Sequence, residues 1–208
     1  YNRVNAGELF EITSFPVIIT NTNASDPTEY ILPVRFTTDL TVTTATQYFQ
    51  FVTDGIELGS KTVKSDGTKY TITIDGVADY PGFISNQNRS YTYVYNVHVR
   101  AINGSTLYSV AGTAAGWVGG SAYGSGGSVN YITACSSDGP ITDFCGGIVG
   151  SDAAVGGQVF ITGCTSSGTI GASGGGIAGR YAGGNGGTID IRRCSSTGTI
   201  GANAGGIV

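Results

Sequence analysis

Apolar residues along this chain do not follow a helical period; in its C-terminal part they return in step every 29 or 30 residues. Three copies align, starting at Val129, Val159 and Ile189: VNYITACSSDGPITDFCGGIVG, VFITGCTSSGTIGASGGGIAG and IDIRRCSSTGTIGANAGGIV, the first shifted by one residue at its start. Read down the copies, the columns are chemically uniform: Ile132, Ile161 and Ile191; then Cys135, Cys164 and Cys194; then Ile141, Ile170 and Ile200; then Ile148, Ile177 and Ile207. Between them lie Ser- and Thr-rich segments, then Gly139, Gly168 and Gly198, and a Gly pair before each last Ile. A two-helix repeat would need apolar residues at helical spacing, and a propeller blade needs four strands in about 40 residues. Three short strands per copy with Gly-rich corners predict one coil of a solenoid, in which like columns stack about 4.8 Å apart.

The expected fold is therefore all-β: a right-handed parallel β-helix of about 30 residues per coil. Weaker copies of the last motif extend it backwards: Gly116-Trp117-Val118-Gly119 aligns with Gly147-Ile148-Val149-Gly150, and Gly82-Phe83-Ile84 with both. Alternating Tyr70, Ile72 and Ile74 mark another turn over 56–77, so residues 41–208 are read as four to five turns. Residues 1–40 do not join the period; two strands near Val17 to Thr20 and Tyr30 to Phe36 predict an N-terminal β cap over the first coil. The chain has no Met and stops at Gly205-Gly206-Ile207-Val208, inside the repeat motif, so the solenoid is expected to continue beyond it.

Composition narrows the class. Of 208 residues 35 are Gly and only 12% are charged, which disfavours helices, while 40% hydrophobic residues are enough for a core. Ten Lys and Arg against fourteen Asp and Glu, with no basic run, exclude a nucleic-acid partner. No stretch reaches 18 apolar residues, so membrane insertion is not expected.

The repeat cysteines read as small buried groups, with disulfides between repeats as the alternative; no CxxC or adjacent His suggests a metal, and no cofactor is expected. Glycan-active solenoids place acidic residues on neighbouring coils, but Asp138 gives way to Ser167 and Thr197, Asp143 to Ala172 and Ala202, and Asp190 to Phe160 and Tyr131. The segment GGNGGTIDI resembles a calcium-binding nonapeptide with Thr188 where Asp is required. His98, between Val97 and Val99, has no Ser or Cys partner visible in the sequence and reads as a locally bonded imidazole. Tyr91, Tyr93 and Tyr95 alternate; they suggest an aromatic platform for sugar or protein, with packing alongside Val97 and Val99 as the favoured reading. Three N-x-S sequons, at Asn23, Asn88 and Asn103, match what chance gives in so Ser-rich a chain.

The motifs CTSSGTIGASGGGIAG, CSSTGTIGANAGGIV, GWVGGSAYG, FTTDLTV and TITIDGVADYPGFISN make the chain resemble the Gly-rich β-helix proteins of giant DNA viruses of the mimivirus type, related in pattern to bacterial GLUG-repeat surface proteins. Cys145 departs from the pattern, standing where later copies have Gly174 and Ala204. The resemblance implies a non-enzymatic structural component at a virion surface or associated with the capsid, whose partners are other copies or other structural proteins. The alternatives are an adhesin or host-attachment module at a cell surface or outside the cell, binding glycan or a receptor, and thirdly a glycan-active enzyme. No catalytic residues carry over. The expected partner-facing positions lie in the loops between coils: Tyr123, Asp152, Arg180 and Tyr181.

Overall fold

The computed structural model describes residues 17–22, 31–35, 38–59, 69–86 and 88–208. Every strand among them is short, because each coil must change direction after a few residues. The first coil carries β1 (Val17–Ile19), β2 (Leu32–Arg35) and β3 (Leu40–Val42); the second β4 (Phe49–Phe51), β5 (Ile56–Gly59) and β6 (Tyr70–Asp75); the third β7 (Ile84–Ser85), β8 (Thr92–Tyr95) and β9 (Val97–Ile102). The last three coils carry β10 (Val129–Thr133) with β11 (Ser136–Ser137), β12 (Gln158–Thr162) with β13 (Thr165–Ser166), and β14 (Thr188–Arg192) with β15 (Ser195–Ser196).

Strands stack on their counterparts one coil away, always in parallel. The first sheet is β1-β4-β7, the second runs from β2 through β5, β8, β10 and β12 to β14, and the third from β3 through β6, β9, β11 and β13 to β15. The first sheet continues as single parallel bridges from Ile84 to Gly119, Val149 and Ala178. The chain is thus all-β with parallel sheets, in the manner of a solenoid, and its described residues form no helix. The expected columns are present: Ile132, Ile161 and Ile191 sit in register, and Ile141, Ile170 and Ile200 are bridged. Ile132 and Ile161 are fully buried, each removing enough apolar area to contribute about 2 kcal/mol.

Two sequence expectations change. Val17 pairs with Phe49, Leu32 with Ile56 and Leu40 with Ile72, so the segment expected to be a separate cap already forms a coil in the same ladders. The physical reason is that register needs only strand-to-strand pairing, and corners absorb different loop lengths. The second change is a slip of one residue: Gly116 opposes Gly146 and Gly119 opposes Val149, which puts Val118, not Trp117, in the column of Phe83, Ile148, Ile177 and Ile207. Trp117 is fully buried beside that column. Its Nε1 donates to the Pro140 carbonyl at 3.2 Å, and a Cβ on Gly139 would meet its ring at 2.5 Å.

The corner between the second and third sheets is a single residue in the left-handed region: Asn96, Ala134, Gly163 and Arg193, with φ of 53°, 52°, 63° and 53°. One such residue turns the chain sharply, so that β8 and β9, or β10 and β11, follow each other almost at once. The Ser-rich segments prove partly internal. Ser137 and Ser166 are buried, and their hydroxyls donate across the coil to the carbonyls of Gly147, at 2.6 Å, and Gly176.

Candidate functional site

On the second sheet, alternation puts every other side chain outside. Leu58, Val94, Ile132, Ile161 and Ile191 form the inner column, and the residues before them in each strand form an outer one: Glu57, Tyr93, Tyr131, Phe160 and Asp190. The rings lie almost flat on one another. Tyr93 and Tyr131 are 4.8 Å apart at 2°, and Tyr131 and Phe160 are 5.2 Å apart at 15°, close to the spacing that the strands impose. A second outer column holds Gly59, Tyr95, Thr133, Thr162 and Arg192.

Gly59 is required by close approach: a Cβ there would sit 2.0 Å from the Tyr95 carbonyl oxygen. With no side chain below it, Tyr95 leans across the columns, and its hydroxyl donates to Glu57 Oε1 at 2.9 Å. Between the columns runs an open groove of about 370 Å³ lined by Glu57, Tyr93, Tyr95, Asn96, Tyr131 and Thr133. Partial burial, followed by the neighbouring Tyr131, Tyr91 and Glu57, raises the Tyr93 phenol above its ordinary pKa, so it stays a donor at neutral pH. At the far end of the ladder, Asp190 is held by Arg192 through two hydrogen bonds of 2.9 and 2.6 Å.

This replaces the favoured packing of the tyrosines alongside Val97 and Val99. Tyr93 and Tyr95 face outward from the second sheet, while the kink at Asn96 sends Val97 and Val99 into the interior of the third. Tyr91 precedes β8 with φ of 56° and stands outside the alternation. The signal was present in the repeat itself, where Tyr131 and Phe160 occupy one column; the missing step was to extend that column to Tyr93.

The third sheet carries a polar cluster. Register sets Ser136 opposite His98, and Nδ1 of the imidazole lies 3.0 Å from the Ser136 hydroxyl. Nε2 lies 3.5 Å from Asp138, Arg100 approaches the same carboxylate at 3.8 Å, and Lys69 Nζ donates to Ser136 at 3.3 Å. His98 thus does have a serine partner, brought in from the next coil where sequence proximity could not show it. Burial lowers the pKa of His98, and Asp138 partly opposes this. Acyl transfer needs free backbone donors beside the nucleophile, but Ser136 sits in a two-residue strand paired on both sides. Asp138 Oδ1 meanwhile accepts from the Ala101 amide at 3.0 Å. The cluster links coils.

Of the loop positions, three come together and one does not. The Asp152 amide donates to the Arg180 carbonyl at 3.0 Å. The Arg180 guanidinium lies over the rings of Tyr181, at 4.4 Å, and Phe144, at 5.4 Å. Tyr181 is 58% exposed. Tyr123 corrects the expectation: it is 1% exposed and belongs to the core. It occupies the inward place that Ala153 and Ala182 fill in later coils, one step after the left-handed residues Ala122, Asp152 and Tyr181. The cysteines are free thiols, buried except for the half-buried Cys194. Of the sequons, Asn23 lies outside the described residues, while Asn88 and Asn103 are exposed. No cluster of metal-binding side chains occurs among the described residues.

The chain matches no protein-family model, no curated protein and no solved structure.

Proposed function

We propose that this chain is a right-handed parallel β-helix serving as a non-enzymatic structural component of a large assembly, at the surface or capsid of a giant-virus particle. The observation that carries this reading is the unbroken register of the second and third sheets, six strands each and parallel throughout. Stacking of this kind commits strand amides to the neighbouring coil and buries the Ile and Cys columns between them, giving a stiff element whose stability resides in coil-to-coil contact. Such an element suits bracing or display. The polar cluster and the Asp138 carboxylate are engaged in linking coils, which agrees with a structural role for the charges that a glycan-active enzyme would leave open to substrate.

Quantitative mass spectrometry of purified particles tests it. The expected result is a fixed, high molar ratio of this chain to the most abundant shell protein. A chain present at a few copies per particle, or recovered from a cell envelope without any shell protein, overturns the proposal and favours an attachment module.

A further inference from the structure

We propose that the stacked sulfurs of Cys135, Cys164 and Cys194 form a site for soft monovalent metal ions of the Cu(I) type, each ion held in line between two thiolates of successive coils. This goes beyond the structural role, and either reading can fail while the other stands.

The sulfurs repeat as the strands do. Thr133 pairs with Thr162 and Thr162 with Arg192, while Ser136 pairs with Thr165 and Thr165 with Ser195, so the cysteines between these partners stand in register. Each sulfur also holds the same place on its own coil: Sγ of Cys135, Cys164 and Cys194 lies 3.5, 3.6 and 3.3 Å from the carbonyl oxygen two residues before it. Toward the preceding coil the match continues, with Cys164 Sγ at 3.7 Å from the Ile132 carbonyl and Cys194 Sγ at 3.6 Å from that of Ile161. Atoms placed alike on successive coils are separated by the strand spacing, about 4.8 Å. A disulfide would have to close that step to about 2.05 Å, and the thiols are free. A straight bridge of two metal–thiolate bonds, each about 2.3 Å, fits the step as it stands.

The chemistry of the donors selects the ion. Thiolate sulfur favours soft ions over Mg(II) or Ca(II). Three sulfurs in a line surround no common point, and among the described residues no group of three metal-binding side chains gathers around one, so a tetrahedral ion such as Zn(II) lacks its ligands. A two-coordinate monovalent ion needs only a pair, and the column offers two pairs that share Cys164. Filling both exchanges three thiol protons for two ions, with no change of oxidation state, and leaves one net negative charge. Groups that tolerate this charge lie at the Cys135 end. Burial opposes ionisation of Cys135, yet hydrogen bonding with Cys164 and the Val97 backbone, together with the Lys69 ammonium, outweighs it and holds the thiol below its ordinary pKa. Lys69 Nζ donates to the adjacent Ser136 at 3.3 Å. The Tyr123 hydroxyl is buried without a hydrogen-bond partner, and its pKa is raised by burial and then by Cys135. An unpaired phenol in a core is costly, and negative sulfur in the same part of the core lowers that cost.

The spacing of the cysteines in sequence gave no sign of a metal, because the two ligands of each ion stand a whole coil apart. The test is anaerobic titration of a polypeptide of residues 1–208 with Cu(I) against the chelator bicinchoninate, the bound ions being counted by native mass spectrometry. Two ions per chain are expected, both lost in Cys164→Ser, one lost in Cys194→Ser and none lost in Cys145→Ser, whose thiol lies outside the column. Cys194→Ser, at the half-buried member, keeps the test decisive should Cys164→Ser fail to fold. X-ray absorption at the copper edge is expected to find two sulfur neighbours for each ion. No uptake against the chelator, two ions retained by Cys194→Ser, an equal loss in Cys145→Ser, or three or more sulfurs around each ion would each overturn the proposal, the third by reducing the uptake to ordinary thiol reactivity.

Discussion

Glycine enters this fold for two separable reasons, and single residues tell them apart. Gly163 has φ of +63° and open space around its missing Cβ. Ala134 and Arg193 hold the same corner in neighbouring coils with the same sign of φ, so the corner tolerates a side chain at the ordinary left-handed cost. Gly168 has no unusual φ, yet a Cβ there would sit 1.7 Å from the Gly139 carbonyl oxygen, and one on Gly198 would sit 1.8 Å from that of Gly168. Here the backbones themselves are close. Gly163→Ala is expected to cost about 1 kcal/mol, a fall of about 2–4 °C in Tm. Gly168→Ala must push two coils apart and is expected to abolish cooperative unfolding, well beyond the usual range for one substitution. Thermal denaturation followed by circular dichroism measures both, and comparable losses would mean that the stacked glycine column is misassigned.

At the scale of the strand, neighbouring coils are tied by side chains as well as by amides. His98 on β9 reaches Ser136 on β11 and approaches Asp138 just beyond it; Lys69, preceding β6, reaches Ser136, and Arg100 on β9 faces Asp138. Because burial lowers the folded-state pKa of His98 below its ordinary 6.5, the unfolded chain takes up the proton first on acidification. Stability linked to this group is therefore full above about pH 6.5, falls as pH drops from there to the folded value, and changes no further below it. Urea midpoints at about pH 7.5 and pH 5 should fall more for the parent than for His98→Gln; equal falls, or a gain on acidification, would contradict the clasp. Such cross-coil pairs also mark where the sequence was legible. From Val129 onward the coils differ by at most a residue in length, so the Ile and Cys columns could be read directly. In the earlier coils Leu32 pairs with Ile56, Ile56 with Thr92 and Thr92 with Asn130, at widely unequal separations. Strand pairing tolerates those insertions, but a search for a period does not. That is why the first coil read as a cap, His98 read as partnerless, the Tyr93 ladder went unassembled, and Trp117 was placed one residue out of its column. The inward Ser137 and Ser166 were hidden for another reason: a buried hydroxyl donating to a distant carbonyl has no apolar signature.

Across the whole molecule, stability that resides between coils makes position along the axis matter. Ile132 and Ile161 have a coil on either side and are fully buried, whereas Ile200 in the last described coil is 54% exposed, and Ile189, Ile191, Cys194 and Ile207 there are only partly covered. In a stack with nearest-neighbour coupling, opening proceeds inward from the least covered coil. The cysteine column records this order, because Cys135, Cys164 and Cys194 occupy equivalent places in successive coils and are free. Each thiol reacts when its coil opens, and opening also releases the thiol–thiol hydrogen bonds and the burial that raise the pKa of Cys164 and Cys194 in the closed stack. Cys194 lies in the outermost of these coils, while Cys145, fully buried away from the column, adds an internal reference. Alkylation of a polypeptide of residues 1–208, followed peptide by peptide in mass spectrometry, should therefore label Cys194 first, Cys164 next and Cys135 last, with denaturant removing the order. Equal rates for the three would mean that the described coils open as one cooperative unit, and labelling of Cys135 ahead of Cys164 would contradict unfolding from that end.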